Sequence, residues 1–383
     1  MRSIELFSGC GGLALGTALA GFEHIQMIEW NAHACATLTH NRDAGLEHAR
    51  NWPIVQGDVR EIVWRRIRAR LDLVAGGPPC QPFSIAGKHR GDCDTRDMWP
   101  EAIRAVRELS PRAFLFENVR GLARPTFTDY LSWITAHLKA PGVIQDAGES
   151  RAEHRRRLEA AVAEYEVIVL KVNAADFGAA QRRNRVVVAG VRRGLGITLT
   201  PPEPTHSRQR LLWDQWVSGE YWRRHSIRRR RWIKAAEADR RIVERMRAEG
   251  RCPPQAAWRT VRDALEGLGD PDGTHGHVFQ DGARAYPGHT GSVLDEPAKA
   301  LKAGDHGVPG GENMMVRDDG SVRYFTIREA ARLQGLPDDW AFPSSWTESM
   351  RQLGNAVPVE LARALGGWIA GALEQARPAR RAA

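Results

Sequence analysis

A short apolar strand, residues 3–8, runs directly into Gly9-Cys10-Gly11-Gly12 and then into an alanine- and leucine-rich stretch that reads as a helix. The unit recurs. Residues 26–30 read as a second strand, 54–55 as a third ahead of Gly57-Asp58, 71–75 as a fourth and 113–116 as a fifth. Runs rich in β-branched residues at 166–172 and 185–191 add two more strands. Alternation of this kind predicts an α/β fold, a doubly wound and mainly parallel sheet.

The texture changes after Gly194. Residues 200–322 mix prolines, glycines and tryptophans with a dense basic block at 222–251 and show little β/α rhythm. They are expected to form a smaller, irregular second domain. Helical periodicity returns at 326–333 and 359–373, so residues 1–199 and 323–376 should form one discontinuous domain, followed by a basic tail at 377–383.

With 383 residues, 42% of them hydrophobic, the chain can bury a sizeable core. Arg2 and Glu5 break any signal-like apolar run, and no segment reads as the roughly 20 apolar residues of a membrane helix, so a cytoplasmic protein is expected. The five cysteines are widely spaced without a C-x-x-C pair, which indicates neither a disulfide framework nor a metal site. The formal charge of +9 favours a polyanionic partner but does not separate DNA, RNA and acidic membranes.

In open α/β sheets ligands bind beyond the carboxyl ends of strands, where a glycine turn admits close approach and a helix offers free N–H groups. Phe7, Gly9, Gly11 and Gly12 occupy that place, although a tight turn uses the same residues for steric reasons alone. Two later strand ends carry acids. Glu29 can accept from both hydroxyls of a ribose, Trp30 offers a face to adenine, and Asp58 can accept from an adenine amino group. Helix-capping acids and a core tryptophan are the plainer alternatives; the three in order favour a nucleoside cofactor, and no Walker lysine follows the glycines.

The most informative segment is Gly76-Gly77-Pro78-Pro79-Cys80-Gln81-Pro82-Phe83-Ser84. Prolines fix their own φ and restrict their neighbours, so this loop presents a thiol in a preset direction. A buried structural cysteine is the commoner fate of a free thiol. The rigid proline setting argues instead for a nucleophile.

That loop resembles a signature of the prokaryotic-type cytosine-5 DNA methyltransferase family, and further motifs follow in family order along almost the whole chain. The glycine turn with Phe7, the Glu29-Trp30 pair and Asp58 look like the family's cofactor motifs. Glu117-Asn118-Val119 and Gln181-Arg182-Arg183-Asn184-Arg185 are similar to its catalytic segments. Arg332-Leu333-Gln334-Gly335 resembles its recognition-organising helix, and Gln352-Leu353-Gly354-Asn355-Ala356-Val357-Pro358 its closing motif.

The resemblance implies a Rossmann-like methyltransferase domain and methyl transfer from S-adenosyl-L-methionine, leaving S-adenosyl-L-homocysteine, to carbon 5 of a cytosine flipped out of double-stranded DNA. Carbon 5 is a poor nucleophile until a thiolate adds at carbon 6. Cys80 is implied for that attack, Glu117 for N3, Arg185 for O2 and Arg183 for support of the site. Pro78, Trp99, Asn355 and Val357 join the implied cofactor pocket; Gln81 and Ser84 are implied contacts to the strand from which the base is flipped. A cognate restriction endonuclease and a monomeric enzyme are further expectations.

Residues 200–322 correspond to the family's variable target-recognition domain. The arginines at 228–231 read as a phosphate-binding or solvated face rather than base readers, and residues 302–313 as either a groove-entering loop or a connection. Two positions depart from the family pattern. Ala300 stands where a phosphate-contacting threonine is usual, and Trp99 where leucine is frequent. A tRNA-methylating branch shares the catalytic loop but carries a Cys-Phe-Thr tripeptide, absent here, which favours DNA.

Overall fold

The computed structural model of the protein describes residues 1–79, 97–304 and 311–376. Strand β1 (Arg2–Leu6) buries its last four residues, as a strand covered on both faces must. Parallel to it lie β2 (Glu23–Glu29) and β4 (Leu73–Gly76), with β3 (Ile54–Gln56) beyond β2 and β5 (Ala113–Val119) beyond β4. The chain continues through β6 (Tyr165–Asn173), the short β7 (Gln181–Arg182) and β8 (Asn184–Arg192).

The large sheet has the order β3-β2-β1-β4-β5-β8-β6, with β8 antiparallel to both its neighbours. After β1 the chain builds outward through β2 and β3, then returns to the other side of β1 with β4. That reversal opens a crevice at the carboxyl ends of β1 and β4, where such sheets bind ligands.

Helices α1 (Gly12–Leu19), α2 (Ala32–Asp43), α3 (Trp99–Leu109), α4 (Thr128–Lys139) and α5 (Arg151–Ala160) belong to the same half. One sheet face is covered by a core in which Ile103, Phe114, Phe116 and Trp133 meet. The other packs against the closing helix Val359–Gln375, whose Leu361, Leu365, Ile369 and Leu373 recur every four residues and so form one stripe. Residues Trp346–Gln375 are long and apolar enough to cross a membrane by length and composition, which the sequence reading did not anticipate. They comprise two helices, Trp346–Asn355 and Val359–Gln375, separated at Pro358, and most of the apolar window is buried.

The segment 200–322 holds small elements rather than a β/α repeat. Leu211, Tyr221, Trp222 and Trp258 form a compact aromatic core, and strands Ser292–Val293, Met314–Val316 and Val322–Tyr324 a small sheet. Its return path does not stand apart. Val261, Ala264, Ala298, Leu301 and Met315 share a core with Ala14, Leu38 and Trp52 of the large sheet's half. The helix Glu237–Glu249 was not expected from the sequence.

Candidate active site

The turn after β1 uses backbone that favours glycine: Gly9 and Gly11 have φ of +54° and +91°. Phe7 is left-handed as well, at +57°, a strained conformation for an aromatic residue and one that clusters at functional sites. A Cβ added at Gly9 would meet nothing within 4 Å, so the turn is open on that side. At Gly12 it would meet the Val357 carbonyl oxygen at 2.3 Å. The closing motif therefore lies directly on the glycine turn, bringing both ends of the chain together.

Glu29, at the end of β2, accepts from the Gly9 and Asn31 backbone N–H groups, both at 2.7 Å. Its carboxylate thus braces the turn. Trp30 beside it is 66% exposed, an indole on an open surface next to the crevice. Asp58 caps the turn after β3 and grips Arg60, whose guanidinium holds the carboxyl below its usual range. An adenine amino group at Asp58 has to share this acceptor with Arg60 or displace it. Trp99 lies behind the crevice: it is fully buried and packs edge-on to Phe116. Val357 is buried, and Asn355 exposed, at the end of the helix Trp346–Asn355.

Glu117 and Arg185 come from neighbouring antiparallel strands, their register being Glu117↔Val187 and Val119↔Arg185. Arg185 Nε forms an ion pair with Glu117 Oε1, and both side chains are largely buried. Among the described residues Oε1 and Nε have no polar partner other than each other. A third group can reach these two buried atoms only by parting them. Gly77 lies beside Glu117, its added Cβ 3.6 Å from Oε2, and Asn118 Nδ2 donates to the Pro78 carbonyl at 3.0 Å. The root of the Pro78-Pro79 loop is therefore anchored on β5, next to the carboxylate.

Arg183 faces inward. It is 1% exposed, and its guanidinium donates to the carbonyls of Leu301 at 2.9 Å and Gly354 at 2.7 Å. Burial, then the charge of Arg185, pushes it well down from its usual range, with Glu117 opposing. It ties the catalytic segment to the return strand and to the closing motif. Cys80, Gln81 and Ser84 lie outside the described residues. Two of the other cysteines are poor nucleophiles: burial pushes Cys10 up to about 12 and Cys35 up to about 11.

Arg60, two residues after Asp58, and the anchoring contact of Asn118 emerge only in the structure, since nothing in the sequence marks which partner either side chain takes. In the basic block, Arg223, Arg240 and Arg245 pair with Glu220, Glu237 and Glu249 one turn away, and Arg224 with Asp263. Those arginines belong to a solvated ion-pair face. Among the described residues no group of three or more His, Cys, Asp or Glu is placed to hold a metal ion.

Comparison with known proteins gives a consistent picture. The family described as C-5 cytosine-specific DNA methylase matches residues 1–142 and 156–370. The Type II methyltransferase M.NgoMIV of Neisseria gonorrhoeae is 31% identical over 97% of this chain and 98% of its own. The Type II methyltransferase M.PspPI of Psychrobacter sp. is 32% identical over 95% and 77%. Among solved structures, the Dnmt2 methyltransferase of S. pombe superposes with a TM-score of 0.57 at 17% identity, over 99% of this chain and 100% of that one, a likeness of fold.

Proposed function

The chain belongs to the C-5 cytosine-specific DNA methylase family, and we propose that Cys80, Glu117 and Arg185 carry out its chemistry on a cytosine flipped out of double-stranded DNA. It is a DNA (cytosine-5)-methyltransferase, and its relatives are Type II modification enzymes. We propose further that the chain acts as a monomer, recognises a specific duplex sequence through residues 200–322 and, as the Type II relatives suggest, protects DNA from a cognate restriction endonuclease.

S-adenosylmethionine fits the crevice at the ends of β1, β2 and β3. Gly9 leaves the turn open, Glu29 stands at the ribose position, the exposed Trp30 face suits adenine, and Val357 and Asn355 close the pocket from the other chain end. When bound, the cofactor supplies an electrophilic methyl group on a sulfonium.

The Cys80 thiolate adds to carbon 6, and electron density moves onto carbon 5 and N3. Glu117 provides a hydrogen bond or proton at N3 while Arg185 steadies O2, so an entering base displaces the Glu117–Arg185 ion pair and takes over both partners. After carbon 5 gains the methyl, loss of its proton to water restores the double bond and expels the Cys80 thiolate, while any proton taken up at N3 returns to Glu117. Arg183 contributes from behind, by fixing the segment that carries Arg185.

The observation that carries this reading is the Glu117–Arg185 pair beside the anchored root of the Pro78-Pro79-Cys80 loop. Its test is transfer of labelled methyl groups to unmethylated duplex DNA, with sites mapped by sequencing methylated cytosines. Cys80→Ala should abolish transfer and retain cofactor binding. Undiminished transfer by that variant, or labelled tRNA beside unlabelled DNA, would overturn it.

A further inference from the structure

The catalytic segment alternates. Gln181 and Arg183 are buried and Arg185 nearly so, whereas Arg182 and Asn184 face outward. Strand β7 pairs in parallel with the strand Ala298–Lys299, and the register sets Arg182 opposite Lys299. Two cations directly across a strand pair weaken it. Little at the surface relieves them.

Among the described residues Arg182 makes no hydrogen bond or ion pair; the carboxyl that acts on it through space is half-buried Glu296, pushed up by burial and shared with Arg208. Lys299 donates its ammonium to a neutral group, the Thr290 hydroxyl, at 2.7 Å, while its backbone N–H donates to Ser292 Oγ at 3.0 Å. Both strands are fixed from behind. Ala298 N–H donates to the Ala180 carbonyl, Leu301 N–H to Gln181 Oε1, and Arg183 to the Leu301 carbonyl. The two cations are thus held in place on backbone that also sets Arg185.

We infer that Arg182 and Lys299 form a phosphate grip, an anion site that holds the DNA strand next to the target nucleotide. A polyanion relieves the repulsion between them and releases counterions on binding, and the fixed backbone of both strands spares it the ordering of their main chain. At about 3.3 Å per residue of extended chain, the stretch from Arg182 at the end of β7 to Arg185 in β8 spans up to about 10 Å, roughly three stacked nucleotides. The grip therefore falls on the backbone flanking the flipped base rather than on the base itself. It rests on the proposal that duplex DNA is the substrate.

The test measures DNA affinity against salt concentration for the full chain and for Arg182→Gln, Lys299→Gln and the double variant, using a duplex that the wild type methylates and an unrelated duplex. Each single change should reduce the slope of log affinity on log salt by about 1 and weaken both duplexes alike, with the double variant losing about 2. S-adenosylmethionine affinity, read by calorimetry, should not move. If Arg182→Gln fails to fold, Lys299→Gln carries the same reading, because among the described residues its ammonium hydrogen-bonds to the Thr290 hydroxyl alone. A salt-dependent wild type whose slope the variants leave unchanged overturns the grip alone. A wild type that shows no affinity for duplex DNA at any salt overturns the grip and the DNA reading together.

Discussion

The Val357 carbonyl closes on Gly12 so tightly that a single added methyl at Gly12 would stand 2.3 Å from its oxygen. The obstacle is backbone on both sides, and no rotamer change can relieve it. Gly12→Ala should separate the glycine turn from the closing motif, lowering stability by about 1–3 kcal/mol, the usual range for overpacking. S-adenosylmethionine affinity should fall further than that of Gly9→Ala, whose Cβ meets open space but whose φ of +54° is strained. Urea unfolding and calorimetric titration of the two variants check both statements.

Glu117 meets Arg185 in the absence of substrate, so the carboxyl must be re-aimed when a base enters. Glu117→Gln retains a donor for N3 but cannot deliver a proton. A group acting by acid–base catalysis typically contributes 10²–10⁴-fold. The variant should therefore lose about that much in single-turnover methyl transfer while keeping DNA affinity within a few-fold. A loss of affinity with an unchanged rate would assign Glu117 to binding instead.

The sheet was legible because its strands are short, apolar and rich in β-branched residues. All seven lie within three residues of where the sequence sets them. The helix Glu237–Glu249 was not, since only Val243 and Met246 supply buried apolar side chains along a charged stretch, too thin a stripe to register. At the site, residue types were legible and directions were not. The family resemblance separates Arg185 and Arg183 by role but says nothing of Arg182; the pairing of β7 sends Arg183 inward to two carbonyls and leaves Arg182 at the surface. Trp99 and Asp58 show the same limit, one turned into the core and the other engaged by Arg60.

Two buried histidines should make stability depend on pH. Burial lowers His24 to about 4, and burial with the charges of His154 and Arg107 lowers His137 to about 3. A depressed histidine contributes stability that is present above its unfolded value of 6.5 and lost as pH falls through its folded value, because the unfolded chain takes up the proton first. Each should steepen the decline below pH 6.5 by up to about 1.4 kcal/mol per pH unit. Among the described residues neither His137 ring nitrogen has a hydrogen-bond partner, so His137→Leu sacrifices no such bond there. The variant should unfold at higher urea than wild type at pH 5 and show a shallower slope between pH 6.5 and 4. An unchanged slope would mean that His137 is protonated in the folded protein.

Arg183 supplies the sharpest separation between building the site and acting in it. Its two terminal nitrogens satisfy the carbonyls of Leu301 and Gly354, which lie on different segments, and Gly354 itself packs directly on the backbone of Lys302 and Ala303. A lysine has one ammonium on a flexible stem and cannot span both acceptors. Arg183→Lys should therefore leave a buried carbonyl unpaired and cost about 1–3 kcal/mol by urea unfolding. Methyl transfer should fall with it, since β7 and the segment carrying Arg185 lose their tie to the closing motif. An osmolyte that strengthens burial should restore part of that activity, whereas it could not replace a group acting on the base. Wild-type stability with a large, osmolyte-insensitive loss of rate would instead put Arg183 in contact with the reacting cytosine.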